Sequence, residues 1–484
     1  MQWNEPSRGD TLWVLQLTAL AEEGSMKLSK AELRSSTHSL PKLRFEDQDL
    51  TSFAGVVLFQ KLFRALNLKG RLYACVRHLR SSSCYGLASI LEVLTLHLML
   101  GWRRLRDLDY YREDPLVLRV LGLRRLPNVA TLTRALRKFD GGVVERIRGL
   151  LRALVLDRVG TLGLGRLTVD FDGSVLTTKS RNTEGTAVGF NPKSKGNRSY
   201  YPLLATVAQT GQVLDLLHRP GNVHDSHGSR EFFEECFDRI EESGFRGVLE
   251  ARIDSAHFSD ATCLQLEARS IHFTVSVPFE RFPDLKERIA QRQRWWPIDG
   301  EWSCFEMDWR PKSWPRAFRC FVFRQRVPVP RKGPIQLDLF RPLERSLEYK
   351  VVMTNKEGSA RAILSFHNGR GAQEGIFAEL KSQLQLDYIP TRRLLGNEVF
   401  SLCSTLAHNL ARELQMLEHP PIPTNTLARA CLWVFERFGS LRKRLIQRAG
   451  RLTRPHGELT LTMSANAEVQ SQIARYLTAL DRAA

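Results

Sequence analysis

Apolar residues change their spacing at Arg166, and that change constrains the fold more than any other feature of the chain. Before it, residues 53–66 and 87–100 repeat apolar side chains at helical spacing, with breaks at Gly101 and Pro115. The stretch from about Thr51 to Leu156 is therefore expected to be helical. After it, Leu-Thr-Val-Asp-Phe-Asp at 167–172 reads as a buried strand that ends in a Gly173-Ser174 turn. A Gly/Asn/Lys-rich loop at 182–198 leads to apolar runs at 201–209 and 212–218. The tight Thr210-Gly211 turn between them predicts a hairpin. A helix at 229–243, a strand at 248–253, a helix at 260–268 and a strand at 271–277 follow. This order is that of an α/β fold, a mixed sheet with helices on its faces.

From about Phe279 to Leu347 the rhythm breaks into Pro- and Trp-rich, strand-like pieces that hold five of the nine tryptophans: Trp295, Trp296, Trp302, Trp309 and Trp314. The core pattern resumes with a strand at 349–354 and a mainly helical stretch at 361–386, so residues 279–347 read as a β-rich insertion. A long helical tail is expected from Asn397 through Met416 and on through 417–484. Residues 1–50 read as a partly flexible leader, and Met26 is an alternative start to Met1.

Lys and Arg outnumber Asp and Glu by 71 to 52, a formal charge of +19. An excess of that size, spread along the chain, favours a polyanionic partner over a small acidic metabolite. A turn feeding a short helix at 126–139 carries Thr131, Thr133, Arg134, Arg137 and Lys138, a pattern suited to laying cations against DNA phosphates. The 8 cysteines include no Cys-x-x-Cys pair, which argues against a zinc ribbon and for a reducing, cytoplasmic setting. The most apolar stretch, 90–100, is too short for a membrane span and contains Glu92 and His97.

Three acidic residues stand where carboxylates can converge from distant parts of the chain. Asp172 ends the first core strand, Asp254 ends a later one, and Glu374 lies in the helical stretch. Hard divalent cations take oxygen ligands of this kind and leave positions open for water and phosphate. Arg370, Glu374 and Lys381, four and seven residues apart, fall within roughly 40° of one another on an ideal helix. Ile376, Leu380 and Leu384 form a neighbouring apolar stripe that can pin such a helix to a sheet.

The stretch Phe366-His367-Asn368-Gly369-Arg370, followed by Glu374 and Lys381, resembles the Tyr-Arg-Glu-Lys signature of DDE transposases in the insertion-sequence-four superfamily. The likeness extends to Asp-Phe-Asp-Gly-Ser at 170–174, Tyr-Tyr-Pro-Leu-Leu at 200–204, Arg-Pro-Gly-Asn-Val-His at 219–224 and Arg-Ile-Asp-Ser-Ala at 252–256. Together these motifs are most similar to the bacterial branch named after insertion sequence 1380, over roughly residues 45–416. Phe366 stands where the signature has Tyr, one residue further from Arg370 than usual, so no side-chain hydroxyl is present at that position.

The resemblance implies a ribonuclease-H-like α/β core (161–278 and 348–416) carrying the β insertion, preceded by an all-α DNA-binding region (51–160) and followed by the helical tail. Asp172, Asp254 and Glu374 are then the catalytic triad that holds two Mg²⁺ ions, for which Mn²⁺ can substitute. Asp170 points to the same side of its strand as Asp172. The small residue and Ser that follow favour Asp172, and Asp170 remains the alternative. Arg370 and Lys381 are expected at DNA phosphate, and Trp295 and Trp296, near Arg292 and Arg294, at an extruded base. The partners implied are the double-stranded terminal repeats and target DNA, handled by at least a homodimer on nucleoid DNA with no membrane. The other readings are a nuclease of this fold without strand transfer and a DNA-binding derivative that has lost its chemistry.

Overall fold

The strand at the change of period lies inside the main sheet, paired on both sides. The computed structural model describes residues 46–80, 85–189, 191, 194–223, 228–328, 345–422 and 427–483. The chain divides after Gln48, and all described elements lie in Asp49–Ala484. The expected leader, apart from residues 46–50, and the choice between Met1 and Met26 lie outside the described residues, as does His224 of the 219–224 motif.

After the two-residue strand β1 (Leu50–Thr51) come helices α1 (Val56–Ala65), α2 (Leu68–Val76), α3 (Leu87–Met99), α4 (Pro115–Leu121), α5 (Val129–Leu136) and α6 (Gly141–Thr161). Polar caps set several starts: the side chains of Asp114, Asn128 and Asp140 accept backbone N–H groups of the first turns of α4, α5 and α6. α3 is apolar nearly all round, and every residue but Ser89 is buried, so it is the central helix of this layer.

The main sheet follows, with β2 (Arg166–Gly173), β6 (Leu203–Val207), β7 (Gln212–Leu217), α7 (Ser229–Glu242), β8 (Val248–Ile253), α8 (Asp260–Ala268) and β9 (His272–Ser276). Between β2 and β6, the short strands β3 (Leu176–Thr178), β4 (Ala187–Val188) and β5 (Arg198–Tyr200) form a separate sheet, within a stretch expected to be mostly loop. Beyond β9 come α9 (Pro283–Gln291), β10 (Trp296–Pro297), β11 (Trp302–Trp309), β12 (Phe318–Pro328) and β13 (Arg345–Thr354). The nine main strands lie in the order β10-β11-β12-β13-β9-β8-β2-β6-β7. β8 runs parallel to β2 and to β9, whereas β6 is antiparallel to β2 and β13 to β9. The segment expected as an insertion thus prolongs the central sheet through β13, and its Phe305, Trp309, Trp314 and Phe318 share one core with Val169 and Ile253.

The last third contains α10 (Ala360–Asn368), α11 (Ala372–Gln383), α12 (Leu394–Glu418), α13 (Phe438–Leu441), β14 (Gly450–Thr453), β15 (Thr460–Met463) and α14 (Ala467–Ala483). α12 is a spine between the helical layer and the sheet, packed on α3, α6 and β7. Its Asn409 donates to the Val213 carbonyl (2.8 Å) and accepts from the Val213 N–H (2.9 Å). The C-terminal region is not helical throughout: β14 and β15 form a hairpin whose β14 pairs with β1, Leu50 opposite Arg451. Alternation in Thr-Leu-Thr-Met at 460–463 suits a strand paired locally with β14, whereas the other partner of β14, β1, lies some 400 residues away, beyond any local pattern. Among the described residues no helix is long and apolar enough to cross a membrane.

β2 alternates strictly, and its two faces differ. Leu167, Val169 and Phe171 meet the α7 aromatics, with the Phe171 and Phe233 ring centroids 4.2 Å apart. Thr168 and Asp170 point the other way, onto a buried polar layer with Glu250 and Arg252 of β8. There the Thr168 hydroxyl donates to Glu250 (2.9 Å) and Lys356 donates to the same carboxylate (2.6 Å).

Candidate active site

Parallel pairing of β2 with β8 sets Phe171 opposite Ile253, so Asp172 and Asp254 follow side by side at the carboxyl ends of adjacent strands. One guanidinium joins them: Arg370 donates to Asp172 (3.0 Å) and to Asp254 (3.3 Å). Both carboxylates remain reachable, with side-chain exposures of 18% and 31%. Burial pushes the Asp172 carboxyl up to about 6; Arg370 draws it down and Asp254 raises it further. Two adjacent carboxylates held by one cation form a centre short of positive charge.

Asp170 has a different role. Its carboxylate is buried and both oxygens are taken by Arg252, one of them at 2.7 Å from Nη2. The same guanidinium donates to the carbonyls of Phe366 (3.1 Å) and Ala428 (2.7 Å), which ties β2, α10 and the segment before α13 together. Gly369 is required at that junction, since a Cβ there would lie 2.0 Å from Arg252 Nη1 and 2.2 Å from the Ala428 oxygen. Phe366 is buried in the same cluster with the Lys356 ammonium 4.3 Å from its ring centroid. A phenyl ring suits this environment, where a phenol would need a partner.

The stretch expected to be mainly helical over 361–386 is two helices rather than one. A 3₁₀ turn at Gly369–Gly371 separates α10 from α11, so Arg370 sits on a turn and swings toward the strand ends. The buried stripe is as expected: Ile376, Leu380 and Leu384 face the core. Lys381 donates to the Val175 carbonyl (3.1 Å), three residues past Asp172. Buried Gln373 donates to the Asp170 carbonyl (3.0 Å) and pins the first turn of α11 to β2. Glu374 follows it in that turn and is exposed. Among the described residues no three His, Cys, Asp or Glu side chains cluster closely enough to hold one ion, so Asp172, Asp254 and Glu374 do not form such a cluster.

Two residues here were not anticipated from the sequence. Lys350 of β13 donates to Asn368 (2.7 Å) at the end of α10. Burial and the nearby Arg370 charge lower its pKa, while Asp254 raises it. His367, quoted only as part of a motif, is buried with its ring nitrogens 2.9 Å from Thr274 Oγ1 and 2.8 Å from Ser276 Oγ. Burial, reinforced by Lys350, holds it neutral. The only signal for His367 was its presence in the motif, and for Lys350 there was none.

The remaining candidates lie apart from this pair. Trp295 is packed: its indole N–H donates to the Arg292 carbonyl (3.0 Å), and its ring meets Phe305 edge-on with centroids 4.8 Å apart. Trp296 is 46% exposed, with the guanidinium carbons of Arg292 and Arg294 at 5.2 and 5.3 Å from its ring centroid. On α5, Leu132, Ala135 and Leu136 are buried, whereas Arg134 and the following Arg137 and Lys138 are exposed. Arg134 and Lys138 help line a cavity of about 690 Å³ that also holds Arg112, Arg124 and Arg125.

The family described as "Transposase DDE domain group 1" matches residues 36–484. The chain belongs to the DDE transposases. A search of curated proteins finds no match. Among solved structures, the piggyBac transposase synaptic complex with hairpin DNA is similar at 12% identity, covering 74% of this chain and 74% of that one with a TM-score of 0.38. The Mos1 transposase paired-end complex with the left transposon end is similar at 11% identity, covering 40% of this chain and 59% of that one with a TM-score of 0.17.

In this DDE transposase the donor set suits a hard divalent cation: two neighbouring aspartates, oxygen ligands only, against a single guanidinium. Asp172 and Asp254 stand ready for that role, and Glu374 would have to join them from the first turn of α11.

Proposed function

We propose that the chain cleaves phosphodiester bonds at the terminal inverted repeats of an insertion sequence and transfers the freed 3′-OH ends to target DNA by cut-and-paste transposition. The observation that carries this reading is the pairing of Asp172 and Asp254 at adjacent strand ends under one guanidinium, in a chain of this family. The order β7-β6-β2-β8-β9, with β2, β8 and β9 parallel and β6 antiparallel to β2, supports a ribonuclease-H-like core. The motifs at 170–174, 252–256 and 366–381 support assignment to the insertion-sequence-four superfamily, insertion sequence 1380 branch.

Asp172, Asp254 and Glu374 would hold two Mg²⁺ or Mn²⁺ ions. Such ions, when bound, help activate the attacking hydroxyl and stabilise the leaving oxygen. Asp172 is preferred to Asp170 because Asp170 has both oxygens committed to Arg252. Arg370, freed from the carboxylates, turns to the scissile phosphate, and Lys381 supports the strand beside it. Arg134, Arg137 and Lys138 contact duplex phosphates. Of the two tryptophans, exposed Trp296 is the better surface for an unstacked base, whereas Trp295 is packed on Phe305. Holding two ends together calls for at least a homodimer, working on DNA of the bacterial cytoplasm.

The test is an assay with Mg²⁺ on duplexes ending in the element's terminal repeat, run in parallel with pre-cleaved ends and a target plasmid. Cleavage together with joined product is the expected result. Cleavage without joining would leave a nuclease in place of a transposase, and DNA binding without cleavage would leave a derivative that has lost its chemistry.

A further inference from the structure

Beyond Asp172 the chain leaves the carboxylate pair through β3 and enters a groove of about 730 Å³ that the site itself does not use. α5 and the residue after it contribute one wall through Thr133 and Arg137, the residues after β3 contribute another, and the segment before α12 closes it. The walls are tied to each other. The Glu184 N–H donates to the Arg392 carbonyl (2.9 Å), the Leu394 N–H donates to the Glu184 carboxylate (3.2 Å), and Arg393 pairs with that same carboxylate. Glu184 is the one acidic residue among the described residues of the lining, and it is neutralised within the wall.

What remains facing the groove is cationic and hydrogen-bonding. Arg137 and Arg392 meet no carboxylate among the described residues, and Ser180 and Asn182 add polar groups between them. Thr183 is buried at 3% exposure, and its hydroxyl has no hydrogen-bond partner among the described residues. Buried hydroxyls are normally satisfied, so an orphan in the lining of a cationic groove points to an acceptor that arrives from outside. Two guanidinium groups with hydroxyl and amide donors, and no competing acid, are the chemistry that grips a sugar–phosphate backbone.

We propose that this groove carries the backbone of the DNA strand leading to Asp172 and Asp254, an inference that rests on the transposase reading. Thr178 is six residues from Asp172 along the chain, at most about 20 Å at about 3.3 Å per residue. With about 3.4 Å of helix rise per nucleotide, the groove grips the strand within about six nucleotides of the cut. α5 and the residues that follow it therefore face two sides, with Arg137 in this groove and Arg134 and Lys138 on the other cavity.

The experiment is a salt titration of the full chain binding a labelled mixed-sequence duplex, read by fluorescence anisotropy. The double variant Arg137→Gln/Arg392→Gln should flatten the slope of log affinity against log salt by about 2, since each phosphate contact contributes about 0.9. Thr183→Val should weaken binding while leaving the thermal midpoint unchanged or raised, because the hydroxyl it removes has no partner among the described residues of the free protein. Slopes and affinities equal to those of the unaltered chain would overturn the groove and leave the transposase reading intact. Failure of the unaltered chain to bind any duplex would overturn both.

Discussion

The two faces of β2 are built from alternating residues of one strand and use opposite physics. On one face Leu167, Val169 and Phe171 bury against Phe232, Phe233 and Phe237, where stability comes from area removed from water. On the other, Thr168 and Asp170 are locked by Glu250 and Arg252, and only at the strand end, where solvent reaches, is Asp172 held by a shared contact to Arg370. The polar face is therefore graded, from carboxylates fully committed to structure to one that can exchange its partner. Two aspartates two residues apart, on the same side, differ in role because one is sealed and the other is not.

The sharpest way to break this comparison is to remove the partner of the sealed aspartate. Arg252→Ala leaves Asp170 charged and buried, and a loss of about 3–5 kcal/mol is expected by urea unfolding. A loss below about 1 kcal/mol would mean that Asp170 is not held as described. Asp172→Asn should divide the roles in the other direction: cleavage falls at least about 100-fold while stability changes by less than about 1 kcal/mol. If Asp170→Asn kept the fold and abolished cleavage in the same way, the assignment of the first carboxylate would be reversed.

Glu92 in α3 offers a pH-dependent contrast, a buried carboxyl with no cation clamped to it. Burial raises its pKa from 4.5 to about 7, against a weaker pull from Lys69. Because the folded value is the higher one, the stabilisation is fully present below about pH 4.5 and is lost as pH rises to about 7. That corresponds to about 3 kcal/mol across the window. Glu92→Gln should abolish that slope in unfolding measurements at stepped pH, and an unchanged slope would contradict the assignment. The smallest effects separate the two tryptophans. Trp295→Ala should cost about 2 kcal/mol of stability through its packing on Phe305. Trp296→Ala should stay within about 0.5 kcal/mol in stability, yet weaken binding of a duplex with an unpaired terminal base by about 1–3 kcal/mol. Equal stability losses would show that both rings serve packing.

Much of this arrangement was legible because the pattern was local. Strict alternation at 167–172 set β2 and the common face of Asp170 and Asp172, and β8 and α8 begin and end where the apolar spacing indicated. What escaped depended on partners distant in sequence. Nothing near Asp170 announces that Arg252 closes over it, or that Arg370 leaves its helix at a Gly-flanked turn because Gly369 packs on that same arginine. The continuation of the sheet through β13, the pairing of β14 with β1 and the approach of Lys350 to the site are likewise cross-chain facts. Glu374 is the reverse case: a motif singles it out, yet among the described residues it forms no ion-holding cluster with the two aspartates.

Glu374 therefore bears the most direct test. Glu374→Gln, assayed with Mg²⁺ or Mn²⁺ on a duplex carrying the element's terminal repeat, should bind DNA as the unaltered chain does and lose cleavage by at least about 100-fold. Cleavage at the unaltered rate would contradict the account, because the third carboxylate would then lie elsewhere than on the first turn of α11.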